Sequence, residues 1–180
     1  MVDISGIEKK LTEKEKALDE VILTGRTAVR SCSNTIKAVH AGDMKTAEKH
    51  LEEAEKTVKQ LLKRKAEFPN QVNHVLQEYA EALIVLEAVE KQRIPGQKEL
   101  KIDEIPYVLG LLDSVGELKR EMYECLRKNN KKDAEKYFAL MEEIFDALLP
   151  LRFSNAILPE FRRKQDVARI QIEQARGELL

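Results

Sequence analysis

Residues 82–89, ALIVLEAV, are apolar almost all the way round a helical wheel. A helix with one apolar stripe can lie on a surface, but one that is apolar on nearly every side has to be surrounded. The rest of the chain must therefore enclose this segment, and helices are what it has to do so with. It has 7 Gly, 5 Pro, 5% aromatic residues and no Trp, so turn and strand signals are scarce. The enclosing helix is predicted from about Asn70 to Lys91, with Val72, Val75, Leu76, Tyr79, Leu83 and Leu86 on one face. His74, Glu78, Glu81 and Val85 form a separate stripe whose lower half is apolar. The two glutamates thus sit at the edge of the interior, an uncomfortable place for paired negative charge unless a cation neutralises it.

Five more helices follow from the same periodicity. The first runs from Ser5 to His40, carries Leu11, Leu18, Val21, Ile22, Val29, Ile36 and Val39, and stops at Gly42. Gly25 in its middle marks a kink or a close contact. The second begins at Asp43, a residue able to cap free backbone N–H groups, and ends before Phe68-Pro69. After the link Gln92 to Glu104, with its Pro95-Gly96 turn, a further helix opens with Pro106 and reaches about Lys128. The last two span about Asp133 to Leu149 and Pro159 to Leu179. The expected architecture is all-α: one domain over residues 1–180, a bundle of six to seven mostly antiparallel helices with no sheet. An echo between DMKTAEKHLEEAEKTVKQLL and NKKDAEKYFALMEEIFDALL has no further copies, so it does not make a repeat array.

Chemistry concentrates in PYVLGLLDSVGEL, residues 106–118. Asp113 and Glu117 are i,i+4 neighbours and Glu78 and Glu81 are i,i+3 neighbours, so each pair shares a helix face. The link allows the two helices to pack antiparallel, which would let the pairs converge. Four gathered carboxylates repel and raise one another's pKa unless cations hold them, and hard oxygen ligands suit Mg²⁺ or Mn²⁺. Such a site activates water for attack on phosphorus. The plainer alternative is a pair of solvated faces: the chain has 32 acids, and a helical wheel puts Asp113 and Glu117 away from the apolar arc of Val108, Leu111, Leu112, Val115, Leu118 and Met122. No His stands at a ligating i+3 position, which disfavours a di-iron bundle, and no phosphate-binding glycine loop is present. Cys32, His40, His50 and His74 show no nucleophilic arrangement.

The formal charge of −1 gives no net positive field, so any nucleic-acid contact must use local patches. Two are candidates: Arg26, Arg30 and Lys37 near one face of the first helix, and Arg162, Arg163 and Lys164, with Arg169, early in the last. The first is a solvated face or a phosphate contact. The second opposes its own helix dipole, so it either pairs with acids of a neighbour or binds phosphates. Two distant cysteines fit a reducing cytoplasm. The opening MVDISGIEKKLTEKEK is no signal peptide, and no apolar run is long enough for a membrane span.

The motifs LQEYAEAL, PYVLGLLDSVGELKREMYE and FRRKQDVARIQIEQARGEL resemble those of the translin family, above all its archaeal proteins similar to translin-associated factor X (TRAX-like). The resemblance implies an α-helical bundle assembling into a closed, octamer-like homo-oligomeric shell. It implies binding of single-stranded RNA, or single-stranded DNA, with little sequence specificity. It also implies an Mg²⁺-dependent endoribonuclease whose acids fall on Glu78, Glu81, Asp113 and Glu117, with Glu117 a candidate general base. Arg26, Arg30, Lys37, Arg162, Arg163 and Lys164 would then guide the phosphate backbone. The link between the acid-bearing helices is shorter than in the eukaryotic factor X, and outlying basic tracts are missing. Two other functions stay open: a non-catalytic RNA- or DNA-binding oligomer, and an all-α nucleoside triphosphate pyrophosphohydrolase. The latter class usually pairs E-x-x-E with E-x-x-D, where this chain has D-x-x-x-E.

Overall fold

The computed structural model describes residues 3–180; residues 1 and 2 of the expected domain lie outside the described residues. The chain forms α1 (Ser5–His40), α2 (Met44–Leu62), α3 (Pro69–Lys91), α4 (Gln97–Leu100), α5 (Glu104–Arg127), α6 (Lys131–Leu148) and α7 (Phe161–Leu179). Six are long helices and α4 is a single turn within the link, so the expected all-α bundle is what forms, with no strand among the described residues.

Local chemistry sets the boundaries. Gly42 takes a left-handed φ of 74° between α1 and α2, and the Asp43 carboxylate accepts from the Thr46 backbone N–H at 3.0 Å, capping α2. Asn130 caps α6 in the same way through the Asp133 N–H at 3.2 Å. Pro69 opens α3, where its missing N–H costs nothing.

The apolar stretch of α3 is enclosed as its pattern demands. Val72, Ala80, Ala82, Ile84, Val85 and Ala88 are fully buried, because α1, α2 and α5 pack around it. Gly25 of α1 marks a close contact, since a Cβ there would meet Val75 Cγ2 at 3.1 Å. Gly110 of α5 marks a closer one. A Cβ at that position would stand 2.7 Å from Ala80 Cβ, 3.0 Å from the Gln77 carbonyl and 3.1 Å from the Glu81 N. Nothing larger than glycine lets α5 lie that near the α3 backbone.

The two acid-bearing helices do not run antiparallel. Lys65, just before α3, forms an ion pair with Asp103, just before α5. At the far ends, Gln92 beyond α3 lies beside Tyr137 of α6, which lies beside Glu121 of α5. The helices therefore run in the same direction. The link makes this possible: even with the helical turn α4 in it, about a dozen residues reach roughly 30 Å, enough to carry the chain back along the bundle. It is fastened on the return by Tyr107 Oη donating to the Pro95 carbonyl at 2.8 Å. α7 also runs parallel to α5, since Lys164 meets Asp113 and Lys119 meets Gln174. Antiparallel pairing belongs to the helices joined by short turns, such as α1–α2 and α5–α6.

The glycine contact makes a test. Gly110→Ala should destabilise the chain by about 2 kcal/mol through overpacking against α3. Gly177→Ala, which meets nothing within 4 Å, should be neutral or stabilising by up to about 1 kcal/mol. Urea unfolding of the two variants against the parent checks the contrast.

Candidate functional site

Where α3, α5 and α7 meet, the bundle opens into a cleft of about 590 Å³ lined by Glu78, Glu81, Asp113 and Glu117 together. The close approach of α3 and α5 at Gly110 and Ala80 brings both pairs to one side. Asp113 and Glu117 are thus not the solvated face that the helical wheel of α5 implies, for their side chains are only 22% and 30% exposed. The wheel fails here because it registers only the apolar arc, while the polar arc of α5 is covered by α7 and by the end of α1. Gly116 belongs to that cover: a Cβ there would meet the Gln171 side chain of α7 at 3.1 Å.

Each acid has its own electrostatic setting. Asp113 accepts from Gln77 Nε2 on one oxygen at 2.6 Å and from Lys164 Nζ on the other at 2.5 Å. Glu117 is bonded to His40 Nε2 of α1 at 2.5 Å, and the other ring nitrogen of His40 meets Glu121. The bond to His40 holds the Glu117 carboxyl below its usual range, against the effect of burial. Burial alone would lower His40, but its two carboxylate partners prevail and raise it to about 9. His40 is therefore a cation at neutral pH.

Glu78 and Glu81 have no such partner; no hydrogen bond contributes to the titration of either. Burial, and then the neighbouring acids, push Glu81 up to about 8, and burial with Asp113 raises Glu78. Cys32 of α1 is driven to about 12, first by burial and then by Glu78 and Glu81, so it is no thiolate nucleophile.

Among the described residues, no group of three His, Cys, Asp or Glu side chains is gathered as a ready-made metal cage. Asp113 and Glu117 are turned towards basic partners instead. The donor chemistry still suits a hard divalent cation. Carboxylate oxygens from two helices line one cleft, and Glu81 is a half-buried acid with no hydrogen bond or ion pair of its own.

The basic candidates divide. Lys164 and Arg163 line the acid cleft; Lys164 is spent on Asp113, and Arg163 folds back on Glu160 at 2.6 Å. For these two, pairing with neighbouring acids is the arrangement found. Arg26 and Arg30 rim a second groove of about 460 Å³, floored by Ile22, Val29 and Val75, which meets the first at His74. Lys37 and Arg162 are exposed and line neither. His40, Glu121, Gln77 and Gln171 join the site although sequence reasoning did not single them out.

The likeness to known proteins is as extensive as the fold. The model of the Translin family matches residues 3–175. The chain belongs to the Translin family. The uncharacterized protein MJ0175 of Methanocaldococcus jannaschii is 31% identical over 185 residues, covering 100% of this chain and 82% of that protein. Among solved structures, apo-NeC3PO matches with a TM-score of 0.88 at 25% identity, over 99% of this chain and 96% of that one. AfC3PO in a complex with duplex RNA matches with a TM-score of 0.85 at 26% identity, over 98% and 94%. The acids of this Translin-family chain lie on the helices that carry LQEYAEAL and PYVLGLLDSVGEL.

The titrations fix a pH dependence without metal. Glu81 is raised in the folded state, so its ionisation opposes folding: the cost is absent below the ordinary carboxyl range and complete above about 8. His40 is also raised, so its contribution is full below its ordinary value of 6.5 and lost as pH rises through about 9. Both make stability fall as pH rises. In EDTA at pH 8.5, Glu81→Gln should be more stable than the parent by on the order of 3 kcal/mol, and the difference should vanish at pH 4.5. Thermal melts across this range check it.

Proposed function

We propose that this protein is a divalent-cation-dependent endoribonuclease of the TRAX-like branch, acting on RNA within an oligomeric assembly. The observation that carries the reading is the shared cleft: four carboxylates from α3 and α5, with Glu81 half-buried and raised to about 8. A structural acid cluster has no use for a carboxylate that costs stability. A site awaiting a cation does.

Glu78, Glu81, Asp113 and Glu117 are the residues that would hold Mg²⁺ or Mn²⁺. Bound there, the ion would supply Lewis-acid polarisation of a phosphodiester and ease deprotonation of water. The chain's own groups divide the remaining work. Glu117, kept ionised by His40, is a constant negative charge and for that reason a poor proton acceptor. Arg163 stands at the cleft edge, and Arg26 and Arg30 line a groove that reaches the acids past His74; these would track a phosphate backbone.

The duplex RNA held by AfC3PO supports RNA as the ligand, and that RNA is double-stranded. A single-stranded preference is proposed because cleavage at a recessed acid site needs a backbone that can bend into it. No helix among the described residues is long and apolar enough to cross a membrane. A reducing cytoplasm is the proposed setting, supported by the free Cys32 and Cys125.

A second reading has its own support. Asp113 and Glu117 are already engaged by Lys164 and His40, as suits a non-catalytic RNA-binding oligomer. Labelled single-stranded and duplex RNA oligomers, incubated with the protein and Mg²⁺ or Mn²⁺, separate the two. The parent should cut the single strand, and Glu81→Gln and Glu117→Gln should each lose about 100-fold or more while still binding RNA. Binding with no cleavage under either metal would favour the second reading. Release of pyrophosphate from free nucleotides with RNA left intact would make it a pyrophosphohydrolase.

A further inference from the structure

The acid cleft already holds one cation, and it belongs to the chain. Lys164 reaches in from the first turn of α7 and donates to Asp113 Oδ1 at 2.5 Å, its side chain only 16% exposed. The second oxygen of Asp113 is held by Gln77, which fixes the carboxylate facing the ammonium. A positive charge in the first turn of a helix opposes the helix dipole, so α7 itself gains nothing from a lysine there. Its neighbour Arg163 lines the same cleft but is bonded to Glu160 through two nitrogens, at 2.9 and 2.6 Å. Arg163 therefore does not share the task. The field of Lys164 also reaches Glu78 and Glu81, on which it acts against burial.

Building on the acid-site reading above, we propose that Lys164 is a resident counter-ion, which must leave Asp113 before a divalent cation can be held by the four acids. The physical case is one of competition for a single carboxylate in a partly dehydrated cleft. One ammonium neutralises one of the four potential charges and leaves Glu78 and Glu81 without a partner. A divalent ion neutralises two, yet to use Asp113 it must first displace an ion pair shielded from water. Lys164 thereby weakens metal binding while it keeps the empty site folded. Once displaced, its ammonium stays at the mouth of the cleft next to Arg163, where a substrate phosphate would meet it. Pairing with Asp113 and contact with phosphate, the two roles open to this lysine, become successive states of one side chain.

Mn²⁺ titration of the full-length protein by calorimetry at pH 7 tests this on four chains: parent, Lys164→Met, Lys164→Arg and Glu117→Gln. Removing the competing charge should tighten Mn²⁺ binding at least about tenfold in Lys164→Met. Lys164→Arg, which keeps the charge, should stay within about threefold of the parent. Should Lys164→Met fail to fold by circular dichroism, Lys164→Gln replaces it, with the same expectation. Binding that is unchanged or weaker on loss of the charge, while Glu117→Gln loses Mn²⁺, overturns the counter-ion role and leaves the acid site standing. If the parent and every variant fail to take up Mn²⁺, the acid-site reading falls, and the counter-ion with it.

Discussion

The mutual repulsion of Glu78, Glu81, Asp113 and Glu117 is the interaction on which the rest of this structure turns. Carboxylates brought together on half-buried helix faces cannot all stay ionised without opposite charge nearby. The chain answers for two of them. His40, from the end of α1, neutralises Glu117, and Lys164, from the start of α7, neutralises Asp113. Helices distant in sequence are thus tied to α5 by charge as well as by apolar contact. Glu78 and Glu81 go without, so burial, and then the neighbouring acids, displace the titration of Glu81. The site is balanced on one helix and unbalanced on the other.

The backbone makes that imbalance possible. α3 is enclosed by α1, α2 and α5, so its acids stay at the surface only where α5 slides past. Gly110 brings α5 against Ala80 and the backbone of Glu81, close enough for carboxylates on the two helices to feel one another. α7, returning after α6, can lie along the other flank of α5 and supply Lys164.

Much of the fold was legible in the sequence, because helix boundaries are local. Asp43, Gly42, Pro69 and the apolar periods locate α1, α3 and the start of α2 to within a residue or two, while α2 stops at Leu62, about five residues before the Phe68-Pro69 stop, in a turn; the stripe of Glu78 and Glu81 reads correctly as semi-buried. Relative direction is not local. The Gln92–Glu104 link fits a hairpin or a return crossing, and only packing decides between them. The burial of Asp113 and Glu117 was hidden for a similar reason: nothing in the wheel of α5 says that α7 will cover its polar arc. Gly116 was the one hint, as a small residue beside the acids. Lys164 carried a readable signal too, a basic residue where the helix dipole disfavours it, though its partner could not be named. His40 carried none, since 77 residues separate it from Glu117.

The central claim is that carboxylates on both α3 and α5 share one cation. Anomalous diffraction from crystals soaked in Mn²⁺ tests it most directly. The account predicts a single strong peak within bonding distance of at least one of Glu78 and Glu81 and at least one of Asp113 and Glu117, with the Lys164 ammonium moved off Asp113. A soaked crystal with no peak in the cleft, or with a peak touching acids of one helix only, would contradict it.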